Sequence, residues 1–153
     1  MTYKYLSFSL AITFISFMVG MILNAFLRKT AFYHTHLSYL NFVKSEKLNH
    51  WMGVGMVKWV VKNTPFKYFN QTLKLRPKTD KVGLHALRKE MTKSELDHLT
   101  GFAFVSLFAL VKFYNSEFLF GLTMMTVNVL MNLHPSLLQQ QNKRRIDRLM
   151  NKL

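Results

Sequence analysis

The chain contains no cysteine, and only seven acidic residues stand against 21 lysines and arginines. The first absence excludes a disulfide framework, a thiolate nucleophile and any thiolate metal site. The second leaves a formal net charge of +14 at pH 7 over 153 residues. Also missing are a Gly-rich phosphate loop, a nucleophile elbow, an internal repeat and a low-complexity tract. No histidine is followed five positions later by aspartate, so the His-x-x-x-x-Asp signature of soluble-loop acyltransferases is absent; His85 with Glu90 comes nearest. His34 and His36 are two imidazoles without further ligands, and no metal site is expected from them.

What is present is apolar blocks separated by basic ones: half of the residues are hydrophobic. A nucleic-acid binder would interleave its basic residues with aromatics on a soluble fold. Here the cations lie outside three apolar segments, so nucleic acid is not an expected partner. The pattern is that of a small membrane protein with basic loops, and one compact unit is expected at this length.

Residues 6–27 form an apolar run broken only by Ser, Thr, Gly and the single Asn24, about 33 Å as a helix and long enough to cross a bilayer core. Thr13, Ser16, Gly20 and Asn24 share one face of it, and Ser16-x-x-x-Gly20 offers a small-residue packing surface. A cleaved signal peptide is the rival reading; the length of the run and the lack of a small-x-small site after it favour a retained helix. Residues 28–98 make a basic loop. Within it, Trp51, Met52, Val54, Met56, Val57, Trp59, Val60 and Val61 alternate with Lys58 and Lys62, which suits either an interfacial helix in the headgroup layer or a helix packed on the protein. Thr64-Pro65 ends that segment, and Arg76-Pro77 marks a second break. Residues 99–138 read as a membrane hairpin turning at Asn115-Ser116, and 139–153 as a basic tail.

The expectation is therefore an all-α integral membrane protein with about three transmembrane helices plus an interfacial amphipathic helix. The positive-inside rule places the large loop and the C-terminal tail in the cytoplasm. The Asn70-Gln71-Thr72 glycosylation triplet would then be idle.

Two stripes carry the chemistry. Leu84, Leu87, Met91, Glu95, His98, Phe102 and Val105 share one helical face. Glu95 and His98 thus occupy positions where leucine would be cheaper, and ionisable groups on an interior stripe at membrane depth are functional more often than decorative. In the functional reading, His98 takes a proton from an acceptor hydroxyl while Glu95 orients the ring or stabilises its charge. In the plain reading, the two form an interfacial ion pair or belong to a solvated helix end. On the last helix, Asn128, Asn132, Pro135, Gln139 and Asn142 share a face. Pro135 frees the carbonyl of Met131, which nearby amides could satisfy. These amides either bind helices together or line a polar cleft facing Glu95 and His98. Lys93, Arg144 and Arg145 could hold an anionic group or grip lipid headgroups.

At these residues the chain resembles the glycosyl-4,4'-diaponeurosporenoate acyltransferase family, small bacterial membrane proteins of staphyloxanthin-type carotenoid synthesis. The resemblance rests on Glu46-Lys47 with Trp59 and Pro65, then on Glu90, Lys93, Glu95 and His98. It ends on Asn132, Pro135, Gln139, Asn142, Lys143 and Arg145, and spans roughly residues 41 to 148. The chain departs at Gln140, where the family usually carries arginine, and more mildly at Lys143.

The resemblance implies transfer of a fatty acyl group to a hydroxyl of a glycosylated polyprenoid or related lipid. It implies an acyl thioester as co-substrate and no cofactor. Partners would be membrane lipids and a lipidic or glycolipid substrate. His98 would be the base, with Glu95 as its partner. Glu90, Lys93, Asn128, Asn132, Gln139, Asn142, Lys143 and Arg145 are the candidate substrate-binding residues. The competing expectation is a non-catalytic membrane module whose polar stripe packs helices or a partner subunit. A lipid isomerase or reductase ranks last, since nothing resembles a dinucleotide site.

Overall fold

The computed structural model describes residues 2–38, 40, 55, 59, 63 and 80–152, which are mostly helical and contain no strand. Most of the expected interfacial segment, the Pro65 and Pro77 breaks and the glycosylation triplet lie outside the described residues. Within that segment Gly55, Trp59 and Asn63 are helical and exposed, and Asn63 Nδ2 donates to the carbonyl of Trp59 at 2.8 Å.

Among the described residues, three long helical rods make the body. Helix α1 spans Thr2–Leu27, and a short π-helical turn at Tyr33–Leu37 follows it. Helix α2 spans Lys81–Tyr114, about 51 Å at 1.5 Å per residue. Asp80 starts it as N-cap, its carboxylate accepting from the Gly83 amide at 2.8 Å. Helix α3 (Phe118–Asn128) continues through a π-helical segment (Val129–Leu133) into α4 (His134–Met150).

The turn between α2 and α3 is built by backbone geometry. Ser116 takes a positive φ of 61°, and the Glu117 amide reaches back to the carbonyl of Lys112 at 2.9 Å. This is a Schellman ending with serine in the place glycine usually takes. The π segment answers Pro135. Proline has no N–H to donate and its ring crowds the carbonyl four residues back, that of Met131. The chain widens by one residue just before it, the His134 amide donating to Val129.

Helix α1 runs antiparallel to α2. Near the hairpin tip Tyr5 stacks on Phe120, ring centroids 4.5 Å apart. Ile12 joins Val105, Ala109, Phe120 and Met124 in the core there. One end of the interface is thus greasy; the other is close-packed backbone. A Cβ on Gly20 would stand 2.3 Å from the carbonyl oxygen of Asp97, and one on Gly101 would stand 3.0 Å from Ser16 Oγ. The small-residue surface on α1 therefore docks on α2 at Asp97 and Gly101.

Tyr3–Leu27 and Lys81–Tyr114 are each long and apolar enough to cross a membrane. Only 28% and 22% of their most apolar windows is buried, whereas a core helix of a soluble protein would be mostly covered. Phe14, Met18 and Ile22 of α1, Leu107 and Leu110 of α2, and Leu119 and Leu122 of α3 all face outward. A continuous apolar belt of this kind marks a surface that contacts a membrane or another protein.

At the opposite end the contacts are ionic. Arg88 pairs with Asp147 at 2.6 Å and donates to the carbonyl of Ser38 at 3.2 Å. Leu84, Met91 and Ile146 form a small apolar core beneath. Tyr33 is buried in this region, and burial raises its phenol above the usual tyrosine range against the opposing pull of Arg28.

Candidate functional site: a cleft beside His98

The first stripe on α2 does face protein. Leu84, Met91, Glu95 and Val105 are buried, and Leu87, His98 and Phe102 are half-buried. Its two ionisable members go to different partners.

Glu95 reaches α4. Gln140 Nε2 donates to Glu95 Oε1 at 2.6 Å, and Lys143 forms an ion pair with Glu95 Oε2. The two charged side chains are 0% and 1% exposed, so water has no share in the pair. Lys143 also donates to the carbonyl of Leu40 at 2.6 Å. Burial pushes the Lys143 ammonium below the usual lysine range, and the Glu95 carboxylate pulls it part of the way back. Gln140 supplies a neutral donor to a carboxylate already neutralised by lysine. A second cation there would leave the buried cluster with excess charge.

His98 stays on the other side of the stripe. Its ring meets Phe17 of α1 edge-to-face, centroids 5.4 Å apart and planes at 88°. Asn132 is the polar side chain set against the imidazole. Its contact is looser than a full hydrogen bond, because His98 Nδ1 and Asn132 Oδ1 are buried atoms that both lack one. Asn132 is itself held firmly, donating to Ser16 Oγ at 3.1 Å and to Asn128 Oδ1 at 2.9 Å. Asn128 in turn donates to the Phe102 carbonyl at 3.0 Å and to Ser106 at 3.2 Å. This ladder joins α1, α2 and α3 and fixes the wall behind the imidazole.

In front of His98 lies a cleft of about 280 Å³. Helix α1 gives it an apolar wall, Phe17 and Met21; α2 gives Glu90, Lys93, Ser94, Asp97 and His98; α4 gives Gln139. Gln139 Nε2 reaches Ser94 at 3.4 Å. On the α1 side, Asn24 donates to Asp97 Oδ1 at 3.0 Å and to Thr100 at 3.1 Å. An imidazole, two carboxylates, a cation and neutral donors thus converge beside a greasy wall, the composition expected of a small ligand site.

The structure gathers Glu90, Lys93, His98 and Gln139 of the sequence candidates at this cleft. It puts Glu95 and Lys143 together one layer away, and Asn128 and Asn132 in the helix-joining ladder. Asn142 is half-buried and does not line the cleft. Arg145 lies elsewhere, on a groove of about 480 Å³ with Arg148, Leu149, Asn151 and Lys152. Glu95, expected as the partner of His98, has Gln140 and Lys143 instead. Sequence reasoning passed over Ser94, Asp97, Phe17 and Met21. The stripe rule selects steps of three and four, and Asp97 falls between them. Among the described residues no three His, Asp or Glu side chains gather as metal ligands would.

A family model described as glycosyl-4,4'-diaponeurosporenoate acyltransferase matches residues 28–152. The match takes in α2, α3 and α4 and stops short of α1. No curated protein and no solved structure matches the chain.

Proposed function

The chain belongs to the glycosyl-4,4'-diaponeurosporenoate acyltransferase family, and from that premise we propose a membrane-embedded acyltransferase. It would esterify a hydroxyl of a glycosylated carotenoid or related lipid with a fatty acyl group drawn from a thioester. The observation that carries this reading is His98, half-buried at the mouth of a cleft whose one wall is apolar and whose other wall is hydrogen-bonding.

In the proposed reaction His98 takes the proton of the acceptor hydroxyl as its oxygen attacks the acyl carbonyl carbon. The new C–O bond forms, the C–S bond breaks, and the proton passes to the departing sulfur. General-base help of this kind is typically worth about 10²–10⁴-fold. Phe17 and Met21 would lie against the lipid chain, and Glu90, Lys93, Ser94 and Gln139 against its polar end.

The site's depth agrees with a lipidic acceptor. His98 lies sixteen residues before Tyr114, the last of α2, about 24 Å along the axis, which is close to the far edge of a ~30 Å hydrocarbon core. With α1, the apolar half of α2, and α3 with the start of α4 as three crossings, the chain would be multi-pass. The basic segment 28–98 and the tail would then face the cytoplasm.

Mass spectrometry of total lipid extracts tests the proposal, using host cells that hold the intact chain or its His98→Ala variant at matched levels. A lipid heavier by one fatty acyl group should occur only with the intact chain. Indistinguishable extracts would sink the reading. They would favour a non-catalytic membrane module, which the Asn128–Asn132–Ser16 ladder could equally serve.

A further inference from the structure

We infer that Asp97, steered by Asn24 of α1, is the carboxylate that serves His98, and that α1 is therefore part of the working site. This deepens the acyltransferase reading and rests on it.

Three acidic side chains of α2 lie within reach of the question. Glu95 is sealed from solvent, with Lys143 and Gln140 on its two oxygens. Glu90 lines the cleft but precedes His98 by eight residues, about 12 Å along the helix. Asp97 lines the same cleft as His98 and is its neighbour in the chain.

Asp97 is also aimed. Asn24 Nδ2 donates to its Oδ1 at 3.0 Å, and the same amide group ties Thr100. The anchor works because Gly20 lets the α1 backbone touch the carbonyl of Asp97, where any Cβ would stand 2.3 Å from that oxygen. One carboxylate oxygen is thereby fixed by α1. An oriented carboxylate beside a histidine stabilises the imidazolium that forms when the ring takes a proton, and the attraction is stronger where water is scarce. Asp97 thus acts as a positioning residue through His98.

Asn24, Gly20 and Phe17 all lie before residue 28, where the family match begins. The helix that aims the carboxylate and walls the cleft thus lies outside the matched region. The other titratable groups at the cleft are Glu90 and Lys93, both on α2, while α1 and α4 face it only with Phe17, Met21 and Gln139; from the turn after α1, Tyr33 lies within electrostatic reach of Asp97, and its raised phenol stays neutral across neutral pH. A change in the pH profile on replacing Asp97 therefore has few other sources.

The test uses membranes carrying equal amounts of the full chain, Asp97→Asn, Asp97→Glu or Asn24→Ala. They are supplied with radiolabelled palmitoyl-coenzyme A and extracted host lipids, and initial rates are followed across neutral pH. Asp97→Asn should lower the rate per protein roughly 10- to 100-fold and move the acid limb to lower pH, since the imidazolium loses its counter-charge. Asp97→Glu should recover part of both. Asn24→Ala keeps the charge but frees the carboxylate, and it should shift rate and limb in the same sense by less. It decides the matter if Asp97→Asn does not accumulate. An unchanged rate per protein and an unchanged profile in these variants would overturn the assignment, while transfer by the intact chain kept the acyltransferase reading alive. No label transfer by the intact chain would overturn both.

Discussion

Glu95 of α2 and Lys143 of α4 form an ion pair from which solvent is excluded, and Lys143 extends it to the backbone of Leu40. The pair joins α2, α4 and the chain after α1 at one point. Taking two charges out of water is expensive, and their attraction repays the cost only with good geometry and further hydrogen bonds. Gln140 and the Leu40 carbonyl provide those bonds.

Breaking this pair from one side should be severe. Glu95→Gln strands a buried ammonium and is expected to destabilise the fold by about 3–5 kcal/mol. The paired change Glu95→Leu with Lys143→Met removes both charges and should restore most of that loss. Thermal unfolding in detergent checks this, and a double variant no more stable than Glu95→Gln would show that the pair does something other than hold α2 to α4.

The α1–α2 contact depends on glycine at one level. Gly20→Leu places a side chain where the backbone carbonyl of Asp97 already stands, so the helices must separate. Overpacking of this kind costs about 1–3 kcal/mol, and it should also release Asn24 from Asp97. Gly101→Ala should be milder, because a side-chain atom, Ser16 Oγ, can yield there. Comparing the two melting temperatures, with Gly20→Leu the lower, tests the register.

Ser116 holds a left-handed conformation that costs an L-residue roughly 1–2 kcal/mol and glycine almost nothing. Ser116→Gly at the hairpin tip is expected to raise stability by about 1 kcal/mol, and Ser116→Val to lower it. Since the tip lies far from the cleft, acyl product per molecule should not move. A loss of product with Ser116→Gly would mean that the hairpin end communicates with His98.

Asn128 and Gln139 separate the two uses of the polar stripe. Asn128→Ala cuts the ladder at Phe102 and Ser106 and is expected to cost about 0.6–2 kcal/mol. Gln139→Ala touches the cleft wall and should leave stability nearly unchanged while lowering product. The check is a melting curve beside a lipid extract for each variant. Equal effects on both properties in both variants would abolish the distinction.

The sequence by itself determined the kinds of surface this protein has. The 3.6-residue period put Leu84, Met91, Glu95 and Val105 on a stripe, and that stripe is buried. The spacing of Ser16 and Gly20 marked the packed face of α1, and Pro135 marked a disturbed turn that the structure answers with the π segment. Periodicity acts within a single helix, so it can say which way a side chain points but not what it meets.

Partnership is a matter of axial register between helices, which is decided by how closely backbones approach and where the chain turns back. Gly20 against Asp97 sets one register, and the Ser116 turn together with the π segment sets the other. Those contacts delivered Glu95 to Lys143, left His98 with Asn132 and Phe17, and brought Asn24 to Asp97. Only the tertiary structure could make those assignments, because each joins residues whose distance apart in the chain carries no periodic signal.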